Sequence, residues 1–117
     1  QGGELRANAE LAELETAYQY QTYRDTLLTA VNEIEQTLSR EKSLQIQQQH
    51  IESALSSARN SLEQYQRSYR TGLVDILDLL SVQQQTFDLQ AQLDNLIFQR
   101  LSNRISLGLA LGLGVRA

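Results

Sequence analysis

The stretch Tyr69-Arg70-Thr71-Gly72-Leu73-Val74-Asp75-Ile76-Leu77-Asp78-Leu79-Leu80 decides the fold, because it holds the only glycine between residues 4 and 107. Proline, the other main punctuator of the backbone, is absent from all 117 residues. Gly72 can take the left-handed conformation that ends helices, and the Thr71 hydroxyl can cap locally. Asp75 and Asp78 stand where a following helix presents its positive N-terminal end. The stretch therefore predicts one helix ending, a tip over residues 70–73, and a second helix starting near residue 74. A connection this short makes the two helices antiparallel neighbours, an αα-hairpin.

Upstream of the tip, residues 4–69 are rich in Glu, Gln, Ala, Leu and Arg, all good helix formers. Apolar residues recur at helical spacing through Leu27, Val31, Ile34 and Leu38, then Leu44, Ile51, Leu55, Ala58, Leu62, Tyr65 and Tyr69. From Ile51 onward the steps alternate four and three, the seam of a left-handed coiled coil. The step of six between Leu38 and Leu44 reads as a stammer, which locally overwinds the coil. At the usual rise per residue this helix is on the order of 100 Å long.

Downstream, the second helix runs through Phe87, Leu93, Ile97, Leu101 and Ile105 to about Leu111, a length of roughly 55 Å. It carries two apolar lines. Leu77, Leu80 and Phe87 follow one, and Leu89, Leu93 and Leu96 follow the other. A helix with a doubled stripe expects more than one partner. The arms also differ in length, so residues 4 to about 35 are expected to lack a partner within the hairpin, although Leu11, Leu14, Tyr18, Tyr23 and Leu27 ask for one. The expected fold is all-α, an antiparallel coiled-coil hairpin over residues 1–117 that belongs to a larger assembly.

Composition narrows the function. Net charge is −4, and the ten Lys and Arg residues are scattered, so no nucleic-acid-binding surface is expected. Cysteine is absent, which removes disulfides, thiolate metal sites and thiol nucleophiles. Residues 1–20 are polar and acidic, unlike a signal peptide. No run approaches about 18 apolar residues, so no transmembrane helix is expected, and any targeting or membrane-spanning part of an exported protein would lie outside this stretch. No nucleophile–base pair, phosphate loop or convergent polar cluster suggests an enzyme. Neither a cofactor nor a metal is expected. His50, beside Gln47-Gln48-Gln49, has no second ligand near it and reads as a solvated helix residue. Tyr18, Tyr20 and Tyr23 read as interhelical packing rather than a stacking surface.

Four segments resemble the TolC-like outer-membrane efflux protein family. They are Gln1-Gly2-Gly3-Glu4-Leu5-Arg6-Ala7, then Ala30-Val31-Asn32-Glu33-Ile34-Glu35-Gln36-Thr37-Leu38, then the tip stretch quoted first, and finally Leu109-Ala110-Leu111-Gly112-Leu113-Gly114. The tip is similar to the family's Tyr-x-x-Gly-x-x-(Asp/Ser)-x-Leu-(Asp)-(Val/Leu)-Leu motif. At the end this chain departs from the family, because Leu113 interrupts the glycine run and no terminal aromatic follows.

The resemblance implies the second of the family's two repeats. Three protomers would form a twelve-stranded membrane barrel continued by a periplasmic α-barrel tunnel, in the cell outer membrane with this segment periplasmic. The implied function is a passive conduit of a tripartite efflux or type I secretion system. Its partners would be the hairpins of a periplasmic adaptor (membrane fusion protein) and an inner-membrane pump. The tip would be the tunnel entrance, with Asp75, Asp78, Tyr69 and Arg70 at the gate and Thr71, Gly72 and Leu73 at the adaptor-docking end. The alternative is a generic coiled-coil stalk, which would need neither the Asp-flanked glycine tip nor a second stripe.

Asp75 and Asp78 lie one turn apart on one helix face. They suit N-terminal capping and dipole compensation, and they also suit a carboxylate ring at a pore mouth. Both roles are compatible. The alternating stretch from Ile105 to Val115 could form a membrane β-strand or a helix-packing face on Gly108 and Gly112. The helical reading to about Leu111, with a glycine-rich end, is preferred.

Overall fold

The computed structural model describes the backbone of residues 2–116 and the side chains of residues 2–112. It is all-α, with α1 spanning Gly2–Arg70 and α2 spanning Ile76–Arg116. No strand occurs among the described residues. The 69-residue α1 is uninterrupted because no proline removes a ladder donor, and its only glycines lie at the N-terminal end, where a helix tolerates them. Four threonines, Thr16, Thr22, Thr26 and Thr37, satisfy their hydroxyls on the carbonyl four residues back, at 2.6–3.0 Å.

The chain forms two compact units. One is Ser39–Arg104, the hairpin around the tip. Its α1 face reads Glu41, Leu44, Gln48, Ile51, Leu55, Ala58, Leu62 and Tyr65, all buried or half-buried, in steps of three and four. Its α2 face reads Leu79, Val82, Thr86, Leu89, Leu93, Leu96, Arg100 and Asn103, again buried or half-buried at the same spacing. Both are heptad seams. The register is pinned by cross-helix bonds: Thr86 Oγ1 donates to the Ala58 carbonyl at 3.5 Å, and the Arg59 guanidinium donates to Gln90 Oε1.

The other unit combines the residues up to Leu38 with those from Ile105 on. Ala30 and Ala110 are buried in it, and Leu27, Ile34, Thr37 and Leu107 are half-buried. Small residues at the two buried positions suit close approach of helix backbones. Leu5, Leu11, Leu14, Tyr18 and Tyr20 are 58–74% exposed. The unpartnered part of α1 is therefore shorter than expected. It ends before Leu27 rather than at about residue 35, because α2 continues far enough to cover the positions from Leu27 on.

Two further expectations are corrected. There is no stammer. The seam passes through Thr37 and Glu41, which keep the steps at three and four, while Leu38 is 52% exposed and lies off it. An apolar-only reading took Leu38 for a seam residue and missed the polar ones. The second correction concerns α2, which runs on to Arg116 rather than ending near Leu111. Glycine in a helix interior costs about 1 kcal/mol relative to alanine. The leucines that alternate with Gly108, Gly112 and Gly114 are strong helix formers and carry the helix through.

Candidate functional site

At the tip, the Leu73 amide donates to the Ser68 carbonyl at 2.8 Å and the Gly72 amide to the Tyr69 carbonyl at 3.0 Å. This pair of bonds is a Schellman closure, which needs a left-handed residue between them. Gly72 supplies it with φ 76°. A Cβ at Gly72 would meet no atom within 4 Å, so the backbone angle and not space demands glycine there. The Thr71 hydroxyl donates to the Ser68 carbonyl at 3.0 Å, saturating the last turn of α1.

A Schellman closure usually seats an apolar residue after the glycine on one in the last turn. Here that last turn offers Arg67 and Ser68, so Leu73 has no apolar seat and is 79% exposed. Leu77, the second residue of α2, is 69% exposed. Tyr69 and Arg70 are exposed at the end of α1. The tip thus presents an aromatic, a cation and two leucines around a glycine.

Asp75 is the residue before α2, and its main-chain carbonyl accepts from the Asp78 amide at 3.1 Å and the Leu79 amide at 3.3 Å. Both carboxylates are exposed, while Leu79 between the helices is buried. Their position at the helix N-terminus is favourable for negative charge. The structure brings Tyr69, Arg70, Thr71, Gly72, Leu73, Asp75 and Asp78 together at one end of the Ser39–Arg104 unit.

A second polar group went unread in the sequence. Arg100 donates from Nε and Nη2 to Glu41 Oε1, at 2.9 and 2.6 Å, and from Nη1 to Gln48 Oε1 at 2.9 Å. Arg104 stands 3.9 Å from the same Glu41 oxygen. The hydrogen bond from Arg100 holds the Glu41 carboxyl below its ordinary value, against a smaller opposing effect of burial. The buried Asn103 amide acts in the same direction as Arg100. Stepping the seam back from Ile51 by three and four lands on Gln48, Leu44 and Glu41, and that was the signal available. His50 is exposed. No group of three or more metal-ligating side chains occurs among the described residues. No described helix is long and apolar enough to cross a membrane.

A family model described as outer membrane efflux protein matches residues 1–113. The chain belongs to the outer membrane efflux protein family. Relatives of this chain include the pyoverdine export outer membrane protein OpmQ of Pseudomonas putida, 30% identical over 115 residues, which cover 98% of this chain and 24% of that protein. Nodulation protein T of Rhizobium leguminosarum bv. viciae is 33% identical, over 99% of this chain and 24% of the relative. The probable outer membrane lipoprotein SilC of Salmonella typhimurium is 28% identical, over 96% of this chain and 24% of the relative. No solved structure matches. The chain thus spans about a quarter of the length of the curated relatives it matches.

Proposed function

We propose that this chain is a wall segment of the periplasmic tunnel of an outer-membrane efflux channel, with residues 69–80 at its entrance. The full-length protein would assemble as a homotrimer in the outer membrane, receive the hairpins of a periplasmic adaptor at Thr71, Gly72 and Leu73, and be loaded by an inner-membrane pump. Asp75 and Asp78 would line the gate, with Tyr69 and Arg70 beside them. The segment acts by shape and charge, as conduits do, and carries out no bond chemistry.

The observation that carries this reading is the doubled stripe of α2. Leu89, Leu93 and Leu96 are turned in against α1, while Leu77, Leu80 and Phe87 are 50–72% exposed at the same helical spacing. A helix built this way has a neighbour on each side, as a helix in a closed tunnel wall does. A generic stalk would leave the second stripe polar. Family membership and the exposed Asp-flanked tip support the same reading.

The test is conductance. The purified full-length protein in a planar bilayer is expected to form discrete ion-conducting channels, and introducing Leu73→Asp is expected to abolish adaptor cross-linking while preserving conductance. A protein that inserts and conducts nothing would leave the stalk as the better description.

A further inference from the structure

We propose that the Glu41–Arg100–Gln48 cluster selects which face of α2 meets α1. The need for such a selector follows from the doubled stripe. Between residues 77 and 103 the inner face carries Leu79, Val82, Leu89, Leu93 and Leu96. The outer face carries Leu77, Leu80, Phe87, Phe98 and Leu101. Both sets follow the heptad. The outer line is interrupted by Gln84 and Asp94 and the inner one by Thr86, so apolar burial, which is non-directional and scales with area, separates the two faces only weakly around residues 96–103.

The polar groups break that tie. Glu41 and Gln48 lie one heptad apart on the α1 seam, and the Arg100 guanidinium spans both from the inner face of α2. The Arg100 and Glu41 side chains are only 20% and 25% exposed. Were α2 turned about its axis, Phe98 and Leu101 would face Glu41 instead, leaving a half-buried carboxylate against apolar carbon. Stranding a charge in this way costs far more than the pair contributes when formed. The pair therefore acts mainly by penalising the wrong face, as single polar seam residues do in coiled coils. The outer stripe is left exposed as a consequence: Phe87, Phe98 and Leu101 remain 56–72% accessible.

Cysteine cross-linking in the full-length protein tests this. A cysteine pair replacing Ala58 and Thr86 reports the observed face, since the Thr86 hydroxyl reaches the Ala58 carbonyl. A pair replacing Ala58 and Gln84 reports the opposite one. With Glu41 and Arg100 in place, the first pair should form in more than about tenfold excess over the second. In Glu41→Leu/Arg100→Leu the two yields should converge to within about threefold. The swap Glu41→Arg/Arg100→Glu should restore the excess, because the Gln48 amide can donate where it now accepts. A wild-type ratio in the leucine variant overturns the proposal. If that variant does not accumulate, the swap decides: a restored ratio supports the selector, and a lost ratio or lost protein overturns it.

Discussion

The Leu73 amide donates to the Ser68 carbonyl across 2.8 Å, and this closure reverses the chain only because Gly72 between them takes φ 76°. Replacing Gly72 with Val should strain the turn by about 1–2 kcal/mol, because a β-branched side chain tolerates positive φ poorly. Gly72→Asn should recover most of that. Thermal melts followed by circular dichroism check both, and an unchanged melting temperature for the valine variant would contradict the left-handed assignment.

Leu55 is 3% exposed and Phe87 is 72% exposed, although the sequence makes both look like core. Leu55→Ala should destabilise the hairpin by about 2–5 kcal/mol. Phe87→Ala should leave the isolated chain within about 0.5 kcal/mol of wild type. In the full-length protein, the same change at Phe87 should weaken assembly. Chemical denaturation and native gel mobility separate the two effects.

Glu41 makes the hairpin sensitive to acid. Its carboxyl is lowered in the folded state, so the fold binds that proton less readily than the unfolded chain does. The stability it contributes is present above the ordinary value of 4.5 and is lost as pH falls through the lowered folded value. Denaturation midpoints measured from neutral pH down to about pH 3 should drop more steeply for wild type than for Glu41→Gln. Parallel curves would show that the Arg100 contact does not persist in solution.

Leu5, Leu11, Leu14, Tyr18 and Tyr20 have no apolar cover in one chain. A polypeptide of residues 1–117 should therefore self-associate, as an antiparallel pair that makes a four-helix arrangement over part of its length. Sedimentation equilibrium at micromolar concentration should show a dimer or larger. A fully helical monomer would count against it.

The gate proposal is checked at Asp75 and Asp78. In a trimer, three copies of each would crowd six carboxylates at the narrow end, attracting cations. Asp75→Asn with Asp78→Asn should reduce cation selectivity and cation block in single-channel recordings of the full-length protein, with helix content nearly unchanged. Pure capping predicts selectivity intact and only a small loss of stability, about 0.3–1 kcal/mol per removed charge at the helix N-terminus, because asparagine caps about as well as aspartate.

Local rules were enough for much of this protein. The two helices were legible in residues 4–111, and the left-handed glycine between them and the double stripe of α2 in residues 69–96, because propensity, termination and periodicity act within a few residues of one another. Even the Schellman glycine could be placed, since φ at Gly72 answers only to its immediate neighbours. The path through Thr37 and Glu41 was not legible, because a polar residue on a seam looks like a solvated one until its partner is known. Arg100 lies 59 residues from Glu41, and only the antiparallel packing of α1 and α2 puts its guanidinium within 3 Å of both the Glu41 carboxylate and the Gln48 amide oxygen. Packing also decided which leucines are core. Leu96 and Leu101 are equally apolar, yet one is 8% exposed and the other 56%, since burial belongs to the face that meets a partner and not to the residue.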